Sequence, residues 1–475
     1  MSEPTGSVPW RDSALVAGGS LLLYLSLAQE ALHGLDVSVH VFFLTQGYLE
    51  HDYHFLYLKL VGAVWPLLRE VGFTPHHALR LISALGSAGF VLGCHRAAAR
   101  LGWSRSHAAL VAGLCAVPAA NVFFATVPEI HGLFGTFAGV VWWAWACLVR
   151  NPRVRGALVL GVASGMAASV HATGHLLLGA SLLLWWALTP TRTLRSALPL
   201  ALAAGLAHLL LATGLALWLQ PGRFAAPFQG QLQFVRDSAT DARAFASLWR
   251  VLRDEWLLAF LPLSLTCVAA LLRPAARALA IATLVGVGVY LALAAALLND
   301  LYERGAYLLP LALPFALCTL RAFGVRATLL VGLLALGFAV IRVRAHDHVD
   351  TAAWVEGFVA LAREEPPALI CRDVPEQEQI TRAVPDAPFL RLDSLLQAVQ
   401  TGGRTYEDLC RQFDDLVVRY RGAGRTVFVT RAAYGTMAKG GDPFLTRFLG
   451  EHLAQRYRLE EVARGGFAAY RVRVR

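Results

Sequence analysis

Apolar runs recur from residue 13 to about residue 342, divided by short turns of which every second one carries arginine. About 20 apolar residues make a helix as long as the hydrocarbon layer is thick, and a helix satisfies its own backbone within lipid. The chain is therefore expected to thread a membrane many times. Segments near 13–32, 78–98, 107–126, 130–149, 156–171, 173–189, 196–219, 256–272, 278–298, 305–320 and 327–343 are each long enough to cross or nearly cross it. They predict an α-helical polytopic membrane protein with about 11 transmembrane helices.

The charge pattern orients the expectation. The net charge of +10 would suggest nucleic acid in a soluble protein. Here the basic residues are mostly arginines in short turns, so the signal is topological and nucleic acid is excluded as a partner. With the N-terminus in the cytoplasm, the inner turns hold Arg96, Arg100 and Arg105, then Arg150, Arg153 and Arg155, then Arg192, Arg195, Arg273, Arg277, Arg321 and Arg326. The outer turns instead collect acids and histidines. Only Lys59 and Lys439 are lysines. That bias towards Arg, Ala and Leu points to a GC-rich, bacterial coding sequence and hence to a bacterial inner membrane. The N-terminus lacks the basic start and cleavage site of a removable signal, so the first run is expected to stay as an anchor.

Composition changes after residue 344. Residues 1–344 form the expected transmembrane domain, with an extracytoplasmic loop at 33–77; residues 345–475 form the expected small, soluble α/β domain. Strand-like runs occur at Ala368 to Cys371, Thr426 to Val429 and Ala468 to Val472, with amphipathic helical patterns from Tyr406 to Tyr420 and Phe444 to Tyr457. An odd number of spans would put this domain on the periplasmic or extracellular side. Cys371 and Cys410 are the pair placed for a disulfide there.

The loop at 33–77 is too long for a simple turn. Val39 to Leu49 and Phe55 to Leu68 carry apolar residues at helical spacing, as helices lying on a membrane surface do. They would hold Asp36 and the run Glu50-His51-Asp52-Tyr53-His54 at the mouth of a cavity. The alternative is that these polar residues only face water at the interface.

Asp36, the fifteen-step interval to His51, and Tyr53-His54-Phe55-Leu56-Tyr57 resemble the first loop of GT-C membrane glycosyltransferases. The likeness is greatest to the bacterial family related to the transmembrane O-mannosyltransferases. Val127-Pro128-Glu129-Ile130-His131-Gly132-Leu133-Phe134 resembles that family's Glu-containing helix start, and Gly161 to His171 resembles its Gly-rich helix ending in His. The matches fall in order over about the first 190 residues. The family's Pro-Pro-Gly is absent, with His51-Asp52 in its place. Glu303-Arg304-Gly305-Ala306-Tyr307 resembles the late Arg-containing segment of the superfamily only generally.

The resemblance implies an inverting glycosyltransferase moving a sugar from a polyprenyl-phosphate donor to a protein or glycan acceptor on the outer face, among membrane lipids. Asp36 is then the acceptor's base. Arg304 and Arg223 would bind the lipid phosphate. Glu50, His51, Asp52, His54, Tyr57, Glu129, His131, His171, His175 and Glu303 are candidates for donor or acceptor binding. The resemblance names no certain cofactor, and a divalent metal stays open: Glu129 with His131, or His171 with His175 at i, i+4 spacing, would supply ligands. Thr173-Gly174 argues for a helix break between the latter two. No P-loop, dinucleotide fingerprint or HExxH occurs. A transporter or lipid flippase is the competing class, although such proteins gather ionisable groups near the midplane. A scaffold whose C-terminal domain does the work is a third.

Overall fold

The computed structural model describes residues 8–29, 40–41, 43–44, 54–189, 193–220, 249–297, 304–346, 349–372, 374–392, 405–438 and 443–475. The chain divides into two compact units, one of Met1–Gln29 with Leu49–Ala345, the other of Glu30–Tyr48 with His346–Arg475.

The first unit is helical: α1 (Trp10–Ser26), α2 (Phe55–Glu70), α3 (Pro75–Arg100), α4 (Arg105–Ala116), α5 (Ala119–Thr126), α6 (Ile130–Arg150), α7 (Val154–Val170), α8 (Gly174–Leu188), α9 (Leu194–Leu219), α10 (Leu263–Ala269), α11 (Pro274–Leu297) and α12 (Ala312–His346). Local sequence sets the boundaries. Thr74 caps α3 by accepting from the His77 N–H, with Pro75 at the first position, and Ser104 caps α4 in the same way. Pro118 separates α4 from α5, which meet at a bend of 67°.

Within the described residues each predicted run forms a helix or a broken helix. Among the described residues, five helices are long and apolar enough to cross a membrane, or six with the bent α4–α5 pair. The count of eleven from sequence differs because α1, α7, α8 and the Leu263–Leu272 helix are short, at 17, 17 and 15 residues for the first three, and because the 41-residue stretch Ala306–His346 counts once. That stretch is two helices, joined where Gly324 takes φ 73°. The gap between the runs at 305–320 and 327–343 falls there. With these helices the protein is an integral membrane protein. The arginine-bearing turn between α3 and α4 lies at the end that holds the N-terminus of α1, where the Arg96 guanidinium donates to the Val8 carbonyl at 2.8 Å. At that end Asp12 pairs with Arg105 at 2.5 Å and Ser13 bonds His95 at 2.9 Å.

Helices in lipid gain little from hiding apolar surface from each other, so small residues that allow close packing decide who pairs. α3 and α6 meet along such a seam. Gly86 and Gly93 face Gly132 and Gly139, and a Cβ on Gly132 would lie 2.5 Å from the Ser83 carbonyl oxygen. The Thr136 hydroxyl donates to the Gly86 carbonyl at 2.9 Å. Gly161 and Gly165 bring α7 equally close to α9. The other face of α9 exposes Leu198, Leu202, Leu206, Leu209 and Leu210, a surface for lipid.

The second unit holds a five-stranded sheet in the order β2-β1-β3-β5-β4. β1 (Pro367–Cys371) runs parallel to β2 (Phe389–Arg391) and to β3 (Thr426–Thr430); β5 (Phe467–Val474) is antiparallel to β3 and to β4 (Tyr457–Arg464). The three strand-like runs are β1, β3 and β5. β2 is three residues long and β4 is an edge strand rich in charge, so neither carries the apolar pattern that betrays a strand. Both faces are covered. Ala368, Ile370, Val427 and Val429 pack with Phe413 and Phe448, while Leu369, Cys371 and Phe428 pack with Phe358 and Ile380. This alternation separates the expected disulfide pair: Cys371 belongs to the second layer, Cys410 packs against the first, and both are free thiols. On the surface Arg464 bonds Glu364 at 2.9 Å and holds its carboxyl below the usual range. Any stability from this exposed pair is present at neutral pH and lost as pH falls through the carboxylate range.

Candidate functional site

The site grows from the end of the α3–α6 seam. Glu129 is the residue before the first turn of α6, and Ser83 of α3 clamps it. The Ser83 hydroxyl accepts from the Glu129 N–H at 2.9 Å and donates to the Glu129 carbonyl at 2.8 Å. With its backbone fixed, Glu129 places its buried carboxylate 2.9 Å from His131 Nδ1. The N-terminal dipole of α6 favours that negative charge.

His171 follows the last residue of α7 in extended conformation, and α8 starts at Gly174. A Cβ at Gly174 would strike the Ala168 backbone, so the tight turn needs glycine there. The Thr173 N–H donates to His171 Nδ1 at 3.3 Å, and the Thr173 hydroxyl lies 2.7 Å from the same nitrogen. Nδ1 is thus an acceptor, which assigns the proton of the neutral ring to Nε2.

His54, at the start of α2, stacks on His171 with ring centres 4.8 Å apart and planes within 8°. His131 sits against His171 at 4.6 Å. Phe124, Phe134 and Tyr307 wall this group, Tyr307 at 6.0 Å from His171 and 6.3 Å from His131. Three residues before Tyr307, Arg304 takes φ 49° and lays its guanidinium 4.6 Å from the Phe123 ring centre. Gly305, at φ 90°, donates its N–H to buried Glu255 at 2.5 Å, so a carboxylate locks the turn that presents Arg304.

Of the residues singled out in the sequence, the fold brings His54, Glu129, His131 and His171 together and sets Arg304 near their aromatic wall. Tyr57 is fully buried on α2. Asp36, Glu50, His51, Asp52, Arg223 and Glu303 lie outside the described residues. His175 goes elsewhere: its Nδ1 lies 2.8 Å from His208 Nε2, and His208 Nδ1 lies 2.9 Å from the Ser164 hydroxyl. The break at 171–173 removes the shared helix face that i, i+4 spacing would give, so these two histidines make no ligand pair. Among the described residues no group of three or more His, Cys, Asp or Glu is arranged to hold a metal ion. Sequence reasoning missed Ser83, Asn121, Phe124, Tyr290 and Glu255. Ser83, Tyr290 and Glu255 act through contacts distant in the chain, as when the Tyr290 hydroxyl donates to the Thr173 carbonyl at 3.3 Å.

The architecture matches that of a solved structure. ArnT from Cupriavidus metallidurans bound to undecaprenyl phosphate superposes with a TM-score of 0.60, covering 97% of this chain and 97% of that chain at 14% identity. The chain has a GT-C fold. The apo state of the same ArnT gives a TM-score of 0.50 with the same coverage and identity. At that identity the likeness is one of fold. No protein-family model matches the sequence, and no curated protein matches it. The histidine group gathers at the N-terminal end of α6 and the C-terminal end of α7, away from the Arg150–Arg155 turn that joins these two helices.

Proposed function

We propose that this chain is an inverting membrane glycosyltransferase that takes a sugar from a polyprenyl-phosphate donor and passes it to a protein or glycan acceptor outside the cytoplasm. The observation that carries the reading is the buried group His54, His171, His131 and Glu129, gathered at one end of a GT-C fold by elements that are otherwise apolar. Burying so many polar rings and a carboxylate is costly unless function retains them. The ArnT likeness, with undecaprenyl phosphate bound in that protein, supports a lipid-linked donor.

In this mechanism Asp36 accepts the proton of the acceptor hydroxyl as its oxygen attacks the anomeric carbon. The new glycosidic bond forms while the bond from that carbon to the phosphate oxygen breaks, with inversion. The polyprenyl phosphate leaves with the bonding electrons, and Arg304 balances the charge it gains. Glu129 holds His131 in place, and His54 and His171 form a surface for the sugar. Arg223 and Glu303, with Glu50, His51 and Asp52, complete the proposed donor and acceptor contacts. A mannose-like donor follows from the sequence resemblance alone.

Arg304→Ala is expected to weaken binding of undecaprenyl phosphate by about tenfold or more, since it removes a charged hydrogen-bond donor to phosphate. Expression and melting temperature should hold within error. Equal affinity in the purified variant would remove Arg304 from the site.

The same reading puts the site and the C-terminal unit on the periplasmic side of a bacterial inner membrane, an orientation that the arginine distribution in the sequence supports. A reporter fused after residue 350 should then be active only outside the cytoplasm. Cytoplasmic activity would reverse the orientation. The competing transporter reading draws on the Ser164–His208–His175 chain within the helices; flux in proteoliposomes without sugar transfer would favour it.

A further inference from the structure

A narrow cavity runs into the helical unit from His131, lined by Ser87 and Phe90 of α3, Asn121 and Phe124 of α5, and Phe134 of α6. His131, Phe134, Gly135 and Ala138 form one stripe of α6, so the cavity lies along that face of the helix beside the histidine group. Its walls are apolar apart from Ser87, Asn121 and His131. Asn121 is 5% exposed, and its Oδ1 is buried without a hydrogen-bond partner.

A buried amide left unsatisfied costs about 1–3 kcal/mol, and native structures seldom keep one. The backbone around it is in order, since the neighbouring Ala120 N–H donates to the Ala259 carbonyl at 3.0 Å. The side chain is therefore placed to accept a hydrogen bond from a group that enters the cavity. The space admits about one water-sized group. That is too small for a sugar ring and right for one substituent of a ring lying against His131 and His171.

We propose that Asn121 determines donor specificity by hydrogen-bonding one hydroxyl or amine substituent of the transferred sugar, which projects into this cavity between Phe90, Phe124 and Phe134. The inference rests on the glycosyltransferase reading. A pocket that hydrogen-bonds a substituent rejects a sugar that lacks it, because the amide is then stranded. The site thus recognises a polar group at one ring position, while the phosphate is held elsewhere.

The test uses the full-length chain in nanodiscs and four probes: undecaprenyl phosphate, and undecaprenyl phosphate linked to mannose, glucose or xylose. Wild type should bind at least one sugar-bearing lipid more tightly than undecaprenyl phosphate. Asn121→Leu keeps the volume and should lose about tenfold affinity for that lipid while leaving undecaprenyl phosphate unchanged. Asn121→Ala adds no bulk and should show the same split if the leucine variant folds poorly. Unchanged affinity for all four probes would overturn the inference and leave the cavity to a structural water. Equal losses for undecaprenyl phosphate and the sugar lipid would overturn it too, by tying Asn121 to packing or phosphate. Wild type that does not distinguish sugar-bearing lipid from undecaprenyl phosphate would defeat the glycosyltransferase reading itself, and this inference with it.

Discussion

Asp36→Asn should cut glycosyl transfer by roughly a hundredfold or more, with little change in expression or melting temperature. The amide keeps the size of the side chain and part of its hydrogen bonding, and it loses the basicity that removing a hydroxyl proton requires. Asp36 follows the first apolar run and precedes the His54 end of α2, the element that delivers one ring to the histidine group. A carboxylate that serves as a catalytic base seldom carries the fold. The assay is transfer from a polyprenyl-phosphate sugar in membranes, wild type against variant at equal protein level. Near-normal transfer would move the base to Asp52 or Glu50.

Gly93→Leu should have the largest structural effect. Gly93 of α3 lies against Gly139 of α6, and a Cβ on either would meet the other helix's backbone, which cannot rotate away. Leucine there must push the helices apart along their whole seam, at a cost of about 3 kcal/mol or more. The same seam fixes Glu129 through Ser83, so activity should fall with stability. The expected result is a large drop in monodisperse protein after detergent extraction and a lower melting temperature. Leucine at Gly113, where a side chain would meet nothing within 4 Å, serves as the control. Equal behaviour of the two variants would show that close approach at Gly93 is unimportant.

Much of the fold was legible because lipid imposes a simple rule on sequence. Apolar runs had to be helices, and the arginines marked alternate turns. Helix continuity was harder to read: Pro118 bends one run and Gly324 divides another, and run length alone does not reveal how many spans result. In the second unit β1, β3 and β5 showed as apolar strands, whereas three-residue β2 and charged β4 did not.

The site was half legible. Glu129, His131 and His171 stood out as polar residues at the ends of apolar runs, and the structure puts them together with His54. His175 stood out equally and belongs with His208, because the chain turns between His171 and Gly174. Asn121 and Ser83 look like ordinary polar residues in helices. Only tertiary packing shows that one is stranded beside a cavity and the other clamps the backbone of Glu129.

Glycosyl transfer is tested most directly with the purified full-length chain in nanodiscs, given undecaprenyl-phosphate-linked mannose, glucose or xylose and a cell-envelope extract containing protein, glycan and lipid acceptors. Released undecaprenyl phosphate and the anomeric configuration of the product are followed together. The expected result is acceptor-dependent release of undecaprenyl phosphate matched by a product of inverted configuration, lost in Asp36→Asn. Intact sugar lipids throughout, with movement of those lipids across proteoliposome membranes by the same protein, would contradict it.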